Sequence, residues 1–539
     1  MYKIISKAKI LVIDDFAGFR QTIKTMLAGL GAQHIDQASN GNDAIKRCTE
    51  LQYDIIFCDY NLGEGQDGQQ ILEELHHRKL LRHGTLFLMV TAETTRAQVM
   101  GAIEYRPDAY LTKPFTGEQL SQRLKRLQLK NEIMRPIFDA LNNGKSDQAI
   151  ALCDQITEQV PKVKYSCLRI KSEVLEQQQK YTEALALYQQ VSAEQPVLWA
   201  MIGIGRINFQ QGQVKLALQQ FEALRENFAE QVSVLDWIAK CQQALGELDK
   251  AEKTLQQAIQ ISPKSVSRQA SLGQVASKLQ HTEIAQKAFS KTIYEGNYSC
   301  KLKPEYYREY YDNTREMAQG MSGRELSRLV AETETMEKKM ARKYQGDPSA
   351  LAANLSSAAR LFTDLGKTDK SSQLLKKLGD TLQHPDCNID AEQLGYIESS
   401  LQQLPADADF VKKSLTQITT SVESLKQKIT QPAPLEDLSP SEQAKQFNVR
   451  GLQFARNKQP HDALDMFRQA ITTAPDKTNY CLNAAQIIIE HRDLKENPQL
   501  LDEAEGYLTQ TININAEDVR WKRYQKLLDD LAQRKASHA

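Results

Sequence analysis

The chain has 539 residues, and its 68 Lys and Arg are matched by 68 Asp and Glu, so no net field favours nucleic acid or an anionic membrane. At roughly 150 residues per domain the length implies three or four folding units, and no run approaches the ~18 apolar residues of a membrane helix. Eight scattered cysteines without a CxxC, and an opening segment that reaches Asp14 and Asp15 too early for a secretory signal, predict a cytoplasmic protein with reduced core thiols.

Residues 1–125 alternate short apolar runs with amphipathic stretches. Strands are expected at Lys9–Asp14, His34–Ser39, Ile55–Asp59, Thr85–Val90 and Ala109–Leu111, with helical patterns between them and another from Thr116. Ten of the 25 glycines fall in this segment, so turns concentrate here and the rest should be mostly helix. Five strands alternating with helices argue for a doubly wound, flavodoxin-like parallel sheet, with any ligand beyond the C-terminal strand ends.

From about 130 to 300 the pattern becomes helical and repeats. Ala149, Ala184, Ala217, Ala251 and Ala285 are spaced 35, 33, 34 and 34 residues apart. Four residues beyond each stands Cys153, Tyr188, Phe221, Leu255 or Phe289, and Pro161, Pro196 and Pro263 follow twelve beyond three of the alanines. A small residue lets two helices cross closely, a large apolar one fills the next groove, and Pro ends the second helix. The period resembles the tetratricopeptide repeat, in about five copies forming an α-solenoid. Residues 301–430 are expected to be an irregular helical region. It includes a decayed repeat with Ser371 at the alanine position, and a short heptad at Val411, Leu415, Ile418, Val422, Leu425 and Ile429. Residues 431–440, with three prolines, read as a linker. The pattern returns over 441–535, at Gly451, Phe454, Ala463, Phe467, Ala470 and Pro475, and again at Ala504.

The candidate chemistry lies in residues 1–128. Asp14 and Asp15 close the first expected strand and Asp59 the third; Thr91 follows the fourth, and Lys113 with Pro114 follows the fifth. A doubly wound sheet brings these positions to one edge. Three carboxylates suit a small hard cation, Mg²⁺ more than Ca²⁺, and a hydroxyl with an ammonium beside them suits phosphoryl oxygens. The segment over about 6–128 resembles the receiver (CheY-like) domain of two-component response regulators.

The resemblance implies that Asp59 is the phosphoacceptor, supplied by a sensor histidine kinase or a phosphotransfer protein. It implies that Asp15, Asp59 and the backbone carbonyl of Asn61 bind Mg²⁺, with Asp14 orienting a bound water. Lys113 would pair with the phosphorylated carboxylate, Thr91 would donate its hydroxyl to the phosphoryl oxygens, and Tyr110 would be the switch aromatic. The Lys113–Pro114 bond is cis in that family. One stretch departs from its pattern: Gly63 stands where the family has Pro, and the following Asp-Gly is delayed by one residue.

Other motifs carry little. Glu183-Ala184-Leu185 sits on a repeat helix, Gly203-Ile-Gly205 begins like a dinucleotide fingerprint but lacks the third glycine and a preceding strand, and Trp199 and Trp237 are expected as packing residues rather than nucleobase platforms. The resulting expectation is a response regulator whose output is a protein or peptide bound in the repeat groove. No separate catalytic domain, nucleic-acid partner or membrane insertion is foreseen. The rival expectation is a constitutive scaffold whose receiver only docks or drains phosphate from a shared kinase.

Overall fold

The computed structural model describes residues 5–92, 107–404, 418–423, 439–456, 459–475, 477–491, 494, 497–511 and 521–538. Five parallel strands, β1 (Lys9–Ile13), β2 (His34–Ala38), β3 (Ile55–Asp59), β4 (Leu86–Thr91) and β5 (Ala109–Thr112), pair in the order β2-β1-β3-β4-β5. Each lies within a residue or so of its expected place. The helices α1 (Ala17–Gly29), α2 (Gly41–Glu50) and α3 (Gly68–His77) connect them among the described residues.

Successive strand residues point to opposite faces, and both faces are covered. Leu11, Ile13, Ile56, Cys58, Phe87 and Met89 pack on α2 and α3 through Ala44, Ile45, Ile71 and Leu75. Ile10, Val12, Phe57, Leu88 and Val90 face Ile23 and Leu27 of α1 and Leu120 and Leu124 of the next helix. That next helix, α4, runs unbroken from Gly117 to Asn142 with a Thr116–Gln119 capping box. Its first turns complete the sheet's core through Leu120 and Leu124, and its last turns, through Met134 and Ile137, begin another core with Ala149, Cys153 and Ile156. Leu129 falls between the two cores and is 60% exposed, while the neighbouring Gln128 is buried.

Antiparallel helix pairs follow: α5 (Ser146–Gln159), α6 (Lys164–Gln177), α7 (Tyr181–Glu194), α8 (Leu198–Gln210), α9 (Val214–Asn227), α10 (Val232–Ala244), α11 (Leu248–Ile261), α12 (Val266–Lys278) and α13 (Thr282–Gly296). The five register alanines are fully buried. Pro161, Pro196 and Pro263 each stand two residues beyond a helix end, where a missing N–H costs no helical bond. Gly203 and Gly205 are a packing device. A Cβ at Gly203 would meet the Tyr188 ring at 2.7 Å, and one at Gly205 the Phe221 ring at 2.5 Å. Helix α8 therefore lies between two aromatic knobs from its neighbours. Trp237 stacks on Phe221 at 5.7 Å, and Trp199 meets Tyr188 edge-on at 6.0 Å.

Helices α14 (Glu305–Ala318), α15 (Gly323–Lys343), α16 (Pro348–Asp364), α17 (Thr368–Leu382) and α18 (Ala391–Gln402) continue this unit. Ser371 replaces the alanine without penalty, because its hydroxyl bonds to the Ala359 carbonyl at 2.9 Å and to the Thr363 hydroxyl at 2.7 Å. In the heptad, Ile418 and Val422 are buried. Val411, Leu415, Leu425, Ile429 and residues 431–438 of the expected linker lie outside the described residues.

A second unit comprises α19 (Pro440–Arg456), α20 (Pro460–Thr473), α21 (Thr478–Glu490), α22 (Pro498–Gln510) and α23 (Trp521–His538). It repeats the same packing logic. A Cβ at Gly451 would strike the Phe467 ring at 2.5 Å, and Ala463, Ala470 and Ala504 are fully buried.

Candidate functional site

Strand β1 ends at Ile13, so Asp14 and Asp15 emerge together past the sheet edge; β3 ends on Asp59 itself. One carboxylate oxygen from each of the three lies within 4.8 Å of the others. Asp14 is buried, Asp59 nearly so, and Asp15 is exposed. Lys113, one residue past β5, places its ammonium 2.8 Å from Asp14 Oδ2 and 2.9 Å from Asp59 Oδ2. Burial pushes the Asp59 carboxyl above the usual range, against the hydrogen bond and attraction of Lys113, while Asp14 and Asp15 add to the rise. For Lys113 burial works downward, and the hydrogen bonds to Asp14 and Asp59 outweigh it, leaving the ammonium more firmly protonated.

The remaining expected residues gather at the same edge. Thr91 is the last residue of β4, paired in register with Thr112, and its carbonyl accepts from the Lys113 amide at 2.7 Å. The Lys113–Pro114 peptide is cis. Asn61 is exposed beside Asp59, with its Oδ1 accepting from the Gly63 amide at 3.4 Å. Tyr110, on β5, packs against the cluster containing Tyr60, Leu62 and Met89, and its buried hydroxyl has no partner among the described residues.

Several supports were not legible from residue type. The Arg20 guanidinium donates to the Asp14 carbonyl at 2.6 Å and the Asp15 carbonyl at 3.1 Å, and the Phe16 amide donates to Asp14 Oδ1 at 2.9 Å. The Phe19 ring lies 4.0 Å below the Lys113 ammonium, a placement that favours the cation. Gly63 takes φ +70°, a left-handed value closed to the proline it replaces. Its open side faces Asp15, since a Cβ there would lie 3.2 Å from Asp15 Oδ2. Asp67 caps α3 through a reciprocal box with Gln70, and Gly68 follows because a Cβ would strike the Asp59 carbonyl oxygen and meet Met89 Sδ at 3.0 Å. Gly68→Ala should therefore lower the melting temperature of the sheet domain by several degrees, about 1–3 kcal/mol of overpacking. Thermal unfolding followed by circular dichroism checks this, and an unchanged midpoint would mean the helix start has room to move.

Comparison with known proteins agrees with this geometry. The response regulator receiver domain family matches residues 10–125, and tetratricopeptide repeat families match residues 139–197 and 233–265. Chemotaxis protein CheY-3 of Vibrio cholerae serotype O1 is 31% identical over 128 residues, which is 24% of this chain and 97% of that protein. Chemotaxis protein CheY of Pseudomonas aeruginosa is 32% identical over 119 residues, 22% of this chain and 94% of that protein. The solved CheY4 of Vibrio cholerae is 26% identical and covers 22% of this chain and 98% of its own, with a TM-score of 0.21. The chain belongs to the response regulators, carrying a CheY-like receiver domain at its N-terminus followed by tetratricopeptide repeats.

Proposed function

We propose that Asp59 accepts a phosphoryl group from a sensor histidine kinase or phosphotransfer protein, and that this modification controls protein binding by the repeat solenoid. An Asp59 carboxylate oxygen attacks the phosphorus of a phosphohistidine. The new O–P bond forms as the N–P bond breaks, and the imidazole leaves with the electron pair. Lys113, held by Asp14 and Asp59, keeps a positive charge where phosphoryl oxygens would gather. Thr91 is assigned as a hydroxyl donor to those oxygens, and Tyr110 as the aromatic that follows the rearrangement.

Asp14, Asp15 and Asp59 offer hard oxygen donors close together, which fits Mg²⁺; Asp15, Asp59 and the Asn61 carbonyl would hold it, with Asp14 orienting a ligand water. Bound there, the cation would neutralise charge on the transferred group. Mg²⁺ should raise the melting temperature of the full chain's receiver transition, since a ligand of the native state stabilises it by mass action. Asp15→Ala should abolish that rise. An equal rise in both proteins would place the metal elsewhere.

The observation that carries the coupling is α4. One helix supplies Leu120 and Leu124 to the receiver core and Met134 and Ile137 to the first repeat, so a shift in one reorients the other. This favours the gated reading over a receiver tethered loosely to a constitutive scaffold. Inserting a Gly/Ser segment after the exposed Leu129 should leave Asp59 phosphorylation intact and uncouple it from the solenoid, because a flexible chain transmits no orientation. Retention of the full solenoid response after insertion would show that α4 is not the transmitter.

A further inference from the structure

At the end of the sheet opposite Asp59, the starts of β1 and β3 and the turn before β4 face the middle of α4 across a cavity of about 580 Å³. That is the size of a small-molecule site. Its walls are tied together. Asn131 of α4 donates to the Gly84 carbonyl at 2.5 Å, and Asn142 exchanges two hydrogen bonds with the His83 backbone at 2.9 and 3.1 Å. Gly84 takes φ +92°, and a Cβ on it would lie 2.9 Å from the Phe138 ring, so the turn closes directly onto the helix. On the sheet side, Thr85 Oγ1 donates to the Tyr53 carbonyl at 3.1 Å.

Two independent observations point to an occupant. Gln128, on the cavity wall, is only 6% exposed, yet its side-chain oxygen has no hydrogen-bond partner among the described residues. A buried amide oxygen without a donor is destabilising, and a ligand N–H entering the cavity would satisfy it. The second observation is charge. Lys7, Lys9, Arg82 and Arg135 line the same space with exposed side chains that make no ion pair among the described residues. Of the acids beside them, Asp54 already accepts from the Lys9 amide at 2.8 Å, while Glu132 and Asp139 stand one turn either side of Arg135 on α4. The strand side therefore keeps Lys7, Lys9 and Arg82 as positive charge without a counterpart.

We propose that this cavity binds a nucleotide, with its phosphate on Lys7, Lys9 and Arg82, its base against the Phe138 ring and a base N–H donated to Gln128. Arginine and lysine together suit phosphate oxygens. An aromatic face suits the flat base, and the base edge carries the donor that Gln128 lacks. A bare inorganic anion would answer the charge but leave the volume and the amide unfilled. The site is separate from the acidic cluster and does not depend on phosphoryl transfer to Asp59. Its occupant would hold the turn before β4 against the stretch of α4 between Leu124 and Met134, where the helix passes from one core to the next.

The test is equilibrium dialysis of the full chain with radiolabelled AMP, GMP, CMP and UMP, in EDTA so that no metal bridges a nucleotide to the acids. At least one should bind saturably, and Asp59→Asn should bind it equally. Arg82→Ala, which removes an exposed side chain, should weaken binding about tenfold, the loss of one charge-assisted contact. Gln128→Leu should weaken it by a similar factor without lowering the melting temperature, because it removes a buried oxygen that has no donor in the free protein. Inorganic phosphate should compete at least tenfold less well than unlabelled nucleotide. Absence of saturable binding by all four nucleotides would overturn the proposal, as would binding that survives both substitutions. Loss in Arg82→Ala alone, or equal competition by phosphate, would reduce the site to an anion patch and reject the nucleotide.

Discussion

Asp59→Asn is expected to eliminate acid-labile, hydroxylamine-sensitive labelling by acetyl phosphate in the presence of Mg²⁺, while the chain keeps its helical content and melting behaviour. The change removes the nucleophilic oxygen and one charge from a cluster in which Asp14, Asp15 and Asp59 sit within 4.8 Å of one another, and it barely alters volume. Relief of repulsion among the three acids, in a site where Asp59 already resists ionisation, predicts equal or slightly higher stability for the unmetallated variant. The Lys113 ammonium keeps Asp14 as a partner at 2.8 Å, so the edge of the sheet stays organised. The loss of label should be complete because the other carboxylate on Lys113, that of Asp14, is buried and already accepts from the lysine and from the Phe16 amide. Label that persists at another residue would move the acceptor away from β3.

The second large effect is in the solenoid. Gly205→Ala should destabilise the repeats although alanine is the better helix former. Alanine gains about 1 kcal/mol of helix propensity over glycine, but the new methyl would lie 2.5 Å from the Phe221 ring, which is itself fully buried. Overpacking of a rigid aromatic costs about 1–3 kcal/mol, so the balance falls on the side of loss. Gly395→Ala is the matched control: it lies mid-helix in α18, exposed, with nothing within 4 Å of the added carbon. That substitution should raise the urea midpoint by the propensity gain alone. Phe221→Leu should partly rescue Gly205→Ala, because the two residues are in contact and couple. Two substitutions that shift the midpoint in the same direction would mean the ring is free to swing aside.

The parts of the molecule that follow from local periodicity were legible in the sequence. The acids at strand ends, the lysine before the cis proline and the alanine register of the repeats each depend on spacing along one segment, and spacing is what a sequence states directly. Gly203 and Gly205 were visible only as a broken dinucleotide fingerprint. Their reason is two aromatic rings on adjoining helices, Tyr188 and Phe221, and a one-dimensional pattern does not show which ring meets which glycine. Gly63 was seen as a departure, yet its left-handed φ and its approach to Asp15 needed coordinates. The hardest to foresee was the polar face of α3. Gln66, Gln70 and Glu73 look like solvent-facing residues, and their partners lie more than two hundred residues away. A polar stripe reports that a face is not in its own domain's core; it does not report what else covers it.

Phosphate on Asp59 should be felt by the repeats. Hydrogen exchange across residues 130–290 of the full chain, compared before and after acetyl phosphate with Mg²⁺ and with Asp59→Asn as reference, tests it most directly. Protection should change in the helices nearest α4, Ser146–Gln159 and Lys164–Gln177, with no change in Asp59→Asn and none after a Gly/Ser insertion at Leu129. Confirmed acyl phosphate with changes confined to residues 5–128 would contradict it, and would leave the receiver as a docking module or phosphate sink on an indifferent scaffold.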